Sequence, residues 1–275
     1  MTVGPETADG ARFGFGANWA RFLAVVDEER IQSAEASLRA MLGVERLDGR
    51  RFLDIGSGSG LSSLAARRLG AEVRSFDYDA ESVACTEELR RRYRPGDDGW
   101  AIEQGSVLDR AYMESLGRWD IVYSWGVLHH TGAMWVALEH AIARVAPSGQ
   151  VYIAIYADQG WKSHAWWFVK LAYIRLPKFL RPAFVALASA LARILVIVKY
   201  TLKLRPMTGI APLFRSRRDR GMSARHDRVD WYGGFPYEFA KLETLVAWLE
   251  ARGFSIQATR PAGSHGCHEI VARLG

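Results

Sequence analysis

The chain has 275 residues, of which 49% are hydrophobic and 24% charged, a composition typical of a globular protein with room for a large buried core. Its two cysteines, Cys85 and Cys267, exclude a disulfide framework and a four-cysteine zinc site, and they fit a reducing, cytoplasmic environment. The opening sequence MTVGPETADG has neither a basic start nor an apolar run, so we expect no secretory signal.

The net charge of +6 is distributed unevenly along the chain. Residues 159–218 contain twelve Lys and Arg residues and no Asp or Glu, so this acid-free window has a charge of +12 and the rest of the chain −6. The window is also rich in Trp, Tyr and Phe. We therefore interpret it as a basic, aromatic insert in an acidic body.

The predicted elements alternate between strands and helices after an N-terminal helix over residues 18–41, which we expect to end at Gly43. Strands are predicted at 51–55, 72–76, 100–104, 119–125, 150–156, 254–259 and 268–274, and the last two form a hairpin. Helices are predicted at 61–69, 80–93, 110–116, 134–145 and 238–252. Short connections between alternating strands and helices favour a parallel sheet.

The predicted fold class is α/β, a Rossmann-like sheet of seven mostly parallel strands with helices on both faces and a helical insert after the fifth strand. We divide the chain into an N-terminal segment with a lid helix (1–45), a Rossmann-like core (46–157), the basic aromatic insert (158–237) and a C-terminal part that completes the core (238–275).

A glycine-rich turn follows the first strand. Its spacing is G-x-G-x-G, and Asp54 lies at the end of the strand that leads into it. Dinucleotide-binding enzymes place G-x-G-x-x-G at this point, but a pyrophosphate would be repelled by a carboxylate that a cationic ligand would attract. Asp77 ends the second strand, where a carboxylate can accept the hydroxyls of a ribose.

These residues resemble the class I S-adenosylmethionine-dependent methyltransferases. The segments LDIGSGSG, SFDYD, EQGSVLD and WDIVYSWGVLHHTG correspond to the ends of the first four strands of that family. The chain looks most like the ubiquinone-biosynthesis O-methyltransferases, which also carry a helical segment after the fifth strand.

The resemblance implies S-adenosylmethionine as cofactor, with S-adenosylhomocysteine as its product. It implies that residues at the end of the first strand and in the glycine turn hold the methionine moiety, and that Asp77 binds the ribose. It also implies that Tyr78, Ser106 and Val107 lie at the adenine. A lid contact from Trp19 is expected, although this aromatic residue equally suits simple packing of the first helix. The residues assigned to the methionine side are Asp54, Gly56, Ser57 and Gly58, with Ser124 at the neighbouring strand end.

Histidines are the candidate general bases, because imidazole titrates near neutral pH. His129 and His130 follow the fourth strand, whose carboxyl end should open onto the cofactor crevice. His226 is a rival in a polar aromatic stretch that we expect to fold back over the site, and His265 is a second rival.

We expect no metal site in this chain. His265, Cys267 and His268 have a metal-like spacing, but a single cysteine beside a hairpin turn does not make a zinc site.

The insert is the predicted acceptor region, because it leaves the fifth strand at the edge where α/β proteins bind ligands. Tyr156, Trp161, Trp231 and Tyr232 are the candidate substrate contacts. Residues 183–198 are apolar except for Ser189 and Arg193. This segment is too short to span a membrane. We favour an anionic membrane surface contacted through 159–218, or a lipid-substrate channel. The alternatives are packing on the core, a homodimer interface and, less in keeping with the aliphatic runs, RNA.

The predicted function is methyl transfer to a hydrophobic small-molecule or lipid-like acceptor, at oxygen, by a cytoplasmic protein that attaches peripherally to the inner face of the membrane. One alternative is an RNA or protein methyltransferase that docks through the insert. Alternatives of another class are an NAD-type oxidoreductase and a non-catalytic cofactor-binding module.

Overall fold

The computed structural model describes residues 14–202, 232–263 and 266–275. Its strands are β1 (Arg51–Ile55), β2 (Glu72–Asp77), β3 (Trp100–Gln104), β4 (Trp119–Trp125), β5 (Val145–Tyr156), β6 (Phe254–Arg260) and β7 (Cys267–Leu274). Its α-helices are α1 (Gly16–Leu23), α2 (Glu28–Leu42), α3 (Leu61–Arg68), α4 (Ala80–Tyr93), α5 (Arg110–Ser115), α6 (Met134–Ile142), α7 (Trp161–Arg175), α8 (Arg181–Leu202) and α9 (Leu242–Glu250).

The seven strands form one sheet in the order β3-β2-β1-β4-β5-β7-β6. All neighbouring pairs from β3 to β5 are parallel, whereas β7 is antiparallel to both β5 and β6. Only β7 therefore runs against the other strands, because the connection from β6 is too short for a crossover. The predicted fold class and the predicted hairpin are confirmed.

Helices cover both faces of the sheet, because alternate residues of each strand point to opposite sides. Leu53 and Val122 belong to a buried cluster with residues of α5, α6 and α9. Phe52 and Tyr123 belong to a second cluster with residues of α2, α3 and α4. The loops, and not these two clusters, form the carboxyl edge of the parallel strands.

The prediction of one N-terminal helix over 18–41 is wrong, since α1 and α2 are separate helices. Asp27 caps α2, accepting a hydrogen bond from the backbone N–H of Arg30 at 3.0 Å. This capping starts a new helix where apolar periodicity alone predicts continuity. The predicted end is confirmed, because Gly43 stops α2 in the left-handed conformation at φ 67°.

Two other predicted helices are too long. The helix predicted at 134–145 ends at Ile142, because Val145 already pairs with Trp119 in the sheet. The helix predicted at 238–252 begins at Leu242, because Ala240 forms a β-bridge with Ala157. In both places sheet hydrogen bonds outside the segment take precedence over its helical pattern.

Helices α7 and α8 follow β5 and occupy the start of the acid-free window. Within the described parts of the chain, none of the helices combines the length and apolar character that crossing a bilayer requires.

Candidate active site

A cavity of about 1680 Å³ lies at the edge of the sheet where the parallel strands end. Its wall includes the glycine turn after β1, Asp77 at the end of β2, and Gly126 and Val127 after β4. Ligands of α/β proteins bind at this edge, so the cavity is the candidate active site.

The glycine turn has space only for glycine. Gly56, Gly58 and Gly60 have φ values of 81°, 55° and 80°, the left-handed region that side chains disfavour. A Cβ on Gly56 would lie 2.5 Å from the Val127 side chain, and a Cβ on Gly58 would lie 2.9 Å from the Trp19 indole. The turn is therefore packed directly against the loop after β4 and against α1.

The backbone amides of this turn bond within the protein. Those of Gly56 and Ser57 donate to the Phe76 carbonyl at 2.8 and 3.1 Å, and that of Gly60 donates to Ser57 at 2.8 Å. The amide of Gly58 donates to the Asp77 carboxylate at 3.0 Å. A pyrophosphate needs such amides as donors. The occupied amides and the nearby carboxylates thus disfavour a dinucleotide at this turn.

Two carboxyl groups face this part of the cavity. Asp54 is buried and accepts a hydrogen bond from Ser63 Oγ at 2.5 Å. Burial raises the pKa of Asp54 to about 7, opposed by the Ser63 hydrogen bond and helped by the charge of Asp77. Burial also raises the pKa of Asp77, although the amides of Asp79 and Gly58 donate to it. A cationic ligand would favour the ionised forms of both groups.

Helix α1 covers the cavity from above the glycine turn. The backbone N–H of Gly16 donates to Asp79 Oδ2 at 2.9 Å, which ties the start of α1 to the start of α4. Trp19 contacts Gly58, and the Phe15 ring lies 5.1 Å from that of His130. The first helix therefore spans from the glycine turn to the loop after β4.

The residues predicted at the adenine also line the cavity. Tyr78 is 51% exposed, while Val107 is buried. Ser106 Oγ accepts the Leu108 amide at 3.2 Å, and the Val107 carbonyl is 2.8 Å from His140 Nδ1. His140, which the sequence places on a helix, thus fixes the loop after β3.

His130 lines the cavity in a defined tautomer. Its Nδ1 lies 2.7 Å from the Pro236 carbonyl oxygen. Because a carbonyl can only accept, Nδ1 carries the proton and Nε2 keeps its lone pair. Burial and then the charge of Lys170 lower the pKa of His130 to about 3, while the Pro236 carbonyl opposes them. The imidazole is therefore a neutral base at physiological pH.

His129 has a different position. It is fully buried and does not line the cavity, and its Nδ1 accepts the Tyr156 amide at 3.3 Å. Its ring lies 4.0 Å from that of Tyr156, and burial holds its pKa well below the ordinary value. The structure thus separates the two predicted bases and leaves only His130 at the cavity.

Lys170 lies behind this site, next to Tyr156, and the sequence analysis did not single it out. It is completely buried on α7, with Nζ 4.9 Å from the Tyr237 ring centroid and 5.7 Å from that of Tyr156. Ser163, Lys170 and Tyr173 form the buried side of α7, at spacings of seven and three residues. This helical spacing could have indicated that Lys170 lies on the buried face of α7. It was overlooked because Lys170 was counted among the charged residues of a surface.

The other predicted residues are only partly brought together. Tyr156 lines the cavity, and Ser57 does so while its Oγ pairs with Thr86 Oγ1 at 2.9 Å. Three predicted residues do not line it: Ser124 is buried and donates to the Ile55 carbonyl at 3.0 Å, Trp161 is 76% exposed, and Tyr232 is buried near Ser189. His226, Trp231 and His265 lie outside the described residues.

No cluster of three or more His, Cys, Asp or Glu side chains suited to a metal ion occurs within residues 14–202, 232–263 and 266–275.

The comparisons with known proteins agree with this geometry. The family model described as "Methyltransferase domain" matches residues 26–259. The chain belongs to this methyltransferase family. The resemblance to S-adenosylmethionine-dependent methyltransferases, and with it the cofactor class, is confirmed at the level of the family.

Curated relatives are similar over part of their length. A ubiquinone biosynthesis O-methyltransferase from Rhodopseudomonas palustris is 30% identical over 128 residues, which are 46% of this chain and 48% of the relative. One from Bordetella avium is 29% identical over 109 residues, or 39% of this chain and 43% of the relative. The chain thus spans about half the length of the curated relatives it matches.

Solved structures show the same fold. The magnesium protoporphyrin IX methyltransferase from Synechocystis PCC 6803, solved with bound S-adenosylhomocysteine, has a TM-score of 0.55 at 15% identity, with 94% of each chain covered. A Haloferax volcanii methyltransferase in complex with the Trm112 activator has a TM-score of 0.55 at 14% identity, with 96% of each chain covered.

Proposed function

We propose that this protein transfers the methyl group of S-adenosylmethionine to a hydroxyl oxygen of a hydrophobic small-molecule acceptor. The observation that carries the proposal is His130, whose Nδ1 is held by the Pro236 carbonyl while the ring lines the cavity after β4. The relatives named as ubiquinone biosynthesis O-methyltransferases support oxygen as the methylated atom.

The residues of the glycine turn fit this cofactor. Asp54 and Asp77 supply the negative charge that a sulfonium and an amino group require, and Asp77 retains acceptor capacity for ribose hydroxyls. Gly56 and Gly58 keep the backbone close to the cavity without a side chain. When bound, S-adenosylmethionine supplies an electrophilic methyl group on a positively charged sulfur.

His130 is proposed to take the proton of the acceptor hydroxyl at Nε2. A pKa of about 3 leaves the imidazole neutral at working pH, so it is always ready to accept. The acceptor oxygen becomes a far stronger acid as it gains its methyl group, so a weak base suffices at that stage. Lys170, buried behind Tyr156, helps to keep His130 unprotonated before the proton is transferred.

The test is methyl transfer from radiolabelled S-adenosylmethionine into fractionated lysate, comparing His130→Gln with the wild type. We expect label in the small-molecule or lipid fraction, and a loss of roughly 10²–10⁴-fold in rate for the variant, as for other general bases. Calorimetry should show S-adenosylhomocysteine affinity unchanged, because His130 is assigned to the acceptor.

His164→Gln is the matched control, since His164 is exposed on α7. Label confined to RNA or protein, or a His130→Gln rate within a few-fold of the wild type, would contradict the proposal.

Peripheral attachment to an anionic membrane surface is proposed as a second property. Trp161, Phe168, Phe179 and Leu187 are 66–79% exposed, and all four lie in the acid-free window. On α8, Leu187, Leu191 and Ile194 recur at helical spacing and are each more than half exposed. An exposed apolar stripe beside basic residues suits a membrane interface and would bring the cavity close to a hydrophobic acceptor.

A further inference from the structure

One face of the sheet carries polar side chains of the cavity across five strands, from β1 to β6. Residues paired across strands point to the same side, and every second residue along a strand does so too. The pairs Asp54–Tyr123, Tyr123–Tyr152 and Ala154–Glu269 therefore share a face, as do Tyr156–Cys267 and Arg260–Glu269. The face that presents Asp54 on β1 continues past β4 to β7 and β6.

Beyond Asp54 on β1, this face forms one part of the cavity. We call it the β6–β7 lobe. On the sheet side, its wall consists of aromatic rings on β4 and β5 and of polar side chains on β6 and β7, namely Tyr123, Trp125, Tyr152, Arg260, Cys267 and Glu269.

Glu269 holds this lobe together. It is buried, with 9% of its surface exposed, and its Oε2 accepts a hydrogen bond from the Tyr152 hydroxyl. Its Oε1 accepts a hydrogen bond from Arg260 Nη1 at 3.1 Å. Both carboxylate oxygens are therefore engaged, and Glu269 holds Tyr152 and Arg260 in place.

Arg260 is the group left to bind a ligand. Its side chain is 52% exposed at the rim of the lobe, and its bond to Glu269 is its only hydrogen bond or ion pair among the described residues. Nε and Nη2 of the planar guanidinium remain as donors. A guanidinium fixed on one side and free on the other is suited to a carboxylate, which it can bind through two parallel hydrogen bonds.

We infer that the β6–β7 lobe binds the acceptor, and that the acceptor is a small aromatic acid whose carboxylate binds Arg260. The inference rests on the proposed function, because it needs His130 and Tyr156 at the reacting hydroxyl. Tyr156 on β5 and Arg260 on β6 are two strand spacings apart and offset by two residues along the strands, about 12 Å between backbones. Both residues line the cavity, so we expect a single ring bearing a hydroxyl and a carboxylate on opposite sides to bridge them.

The test compares two probes that differ only in charge, 3,4-dihydroxybenzoate and the neutral 3,4-dihydroxybenzamide. Calorimetry on the protein saturated with S-adenosylhomocysteine should show the acid binding at least about tenfold more tightly, as expected for charge-assisted hydrogen bonds. Arg260→Gln should abolish this preference, and Arg260→Lys should restore part of it. Arg252→Gln should leave it unchanged, because Arg252 pairs with Glu139 at the far end of α9.

A second readout comes from the two cysteines. Cys267 is half-buried in the lobe, whereas Cys85 is buried beneath α1, so the acid should slow the alkylation of Cys267 by iodoacetamide and leave Cys85 unaffected. Equal binding of acid and amide to the cofactor-loaded protein, or an unchanged preference in Arg260→Gln, would overturn the inference and leave the proposed function standing. Failure of S-adenosylhomocysteine to bind would instead overturn the proposed function.

Discussion

Asp54 shows at the scale of one residue how a binding group costs stability. The chain buries this carboxyl with one hydroxyl donor, Ser63, and with the like charge of Asp77 nearby, and burial raises its pKa to about 7. A raised carboxyl pKa means that the folded state binds the proton more tightly than the unfolded chain does. This contribution to stability is complete below pH 4 and is lost as the pH rises through 7.

Asp54 therefore predicts a pH dependence of cofactor affinity. Because a cationic ligand needs the ionised carboxylate, the Kd for S-adenosylmethionine should increase as the pH falls below 7. The increase should approach about tenfold for each pH unit. Calorimetry between pH 5.5 and 8 measures this slope. Asp54→Asn should bind weakly and without the slope, and it should melt at a higher temperature than the wild type at pH 8.

Asp98→Asn serves as the control, because Asp98 is exposed and remote from the cavity. A flat affinity profile in the wild type, or an Asp54→Asn variant that melts lower at pH 8, would show that Asp54 is not the titrating group.

Residues in local motifs could be predicted, whereas residues placed by distant contacts could not. Asp54, Gly58 and Asp77 reach the cavity because a strand and its turn fix them. The adjacent His129 and His130 look alike in sequence, and only the Pro236 carbonyl, more than 100 residues away, distinguishes their roles. Arg260 was not predicted either, because its role depends on Glu269 across the hairpin.

At the scale of elements, the contact between α1 and the glycine turn decides how closely the cavity is covered. Gly58 meets the Trp19 indole, and the same helix reaches His130 through Phe15. A change at Gly58 should therefore displace α1 as well as strain the turn.

Gly58→Ala should lower both stability and S-adenosylhomocysteine affinity. The left-handed conformation alone costs a side chain roughly 1–2 kcal/mol, and the clash with Trp19 adds to it. Gly96→Ala isolates the first effect, because Gly96 has φ 68° and nothing within 4 Å of its Cβ. Denaturant unfolding and calorimetry on both variants should show the larger loss of stability, and the only loss of affinity, in Gly58→Ala. Equal effects in the two variants would contradict the close packing of α1 against the glycine turn.

The strands were easier to predict than the helix ends. Short apolar runs between glycine turns leave few alternatives for β1 to β4. Helix ends depend on competing bonds, such as the Asp27 cap or the bridge between Ala157 and Ala240, which hydrophobic periodicity does not contain. The position of β7 between β5 and β6 likewise depends on pairing across more than 100 residues.

At the scale of the whole molecule, positive charge and exposed apolar surface coincide. The acid-free window supplies the exposed apolar residues of α7 and α8, while the carboxylates of the cavity belong to the rest of the chain. The acid-free window can be identified from the sequence alone, but the inward position of Lys170 on α7 was not predicted. The composition of a segment gives its net charge. Only the packing of the helix shows whether a charged residue lies on its exposed or its buried side.

The surface of α8 predicts sedimentation with anionic vesicles. Vesicles containing phosphatidylglycerol should retain the protein at low salt, neutral phosphatidylcholine vesicles should not, and added salt should release it. Leu187→Glu combined with Leu191→Glu should abolish retention, because both residues are exposed on one stripe. Val136→Glu, at an exposed apolar site on α6, is the matched control.

Protein left in the supernatant with anionic vesicles at low salt would contradict membrane attachment. The same result accompanied by a doubled mass in light scattering would assign the stripe to an interface between two copies of the chain.

The order of the sheet has a consequence for how selectivity can change. Asp77 on β2 and Arg260 on β6 are separated by five strand spacings, about 24 Å, which exceeds the screening length of about 8–10 Å at ordinary ionic strength. Substitutions in the β6–β7 hairpin therefore leave the field at Asp77, the residue proposed to bind the ribose, almost unaltered. Substitutions confined to the β6–β7 hairpin can therefore change which acceptor the protein binds. Binding of the methyl donor, which depends on other strands, remains under separate selection.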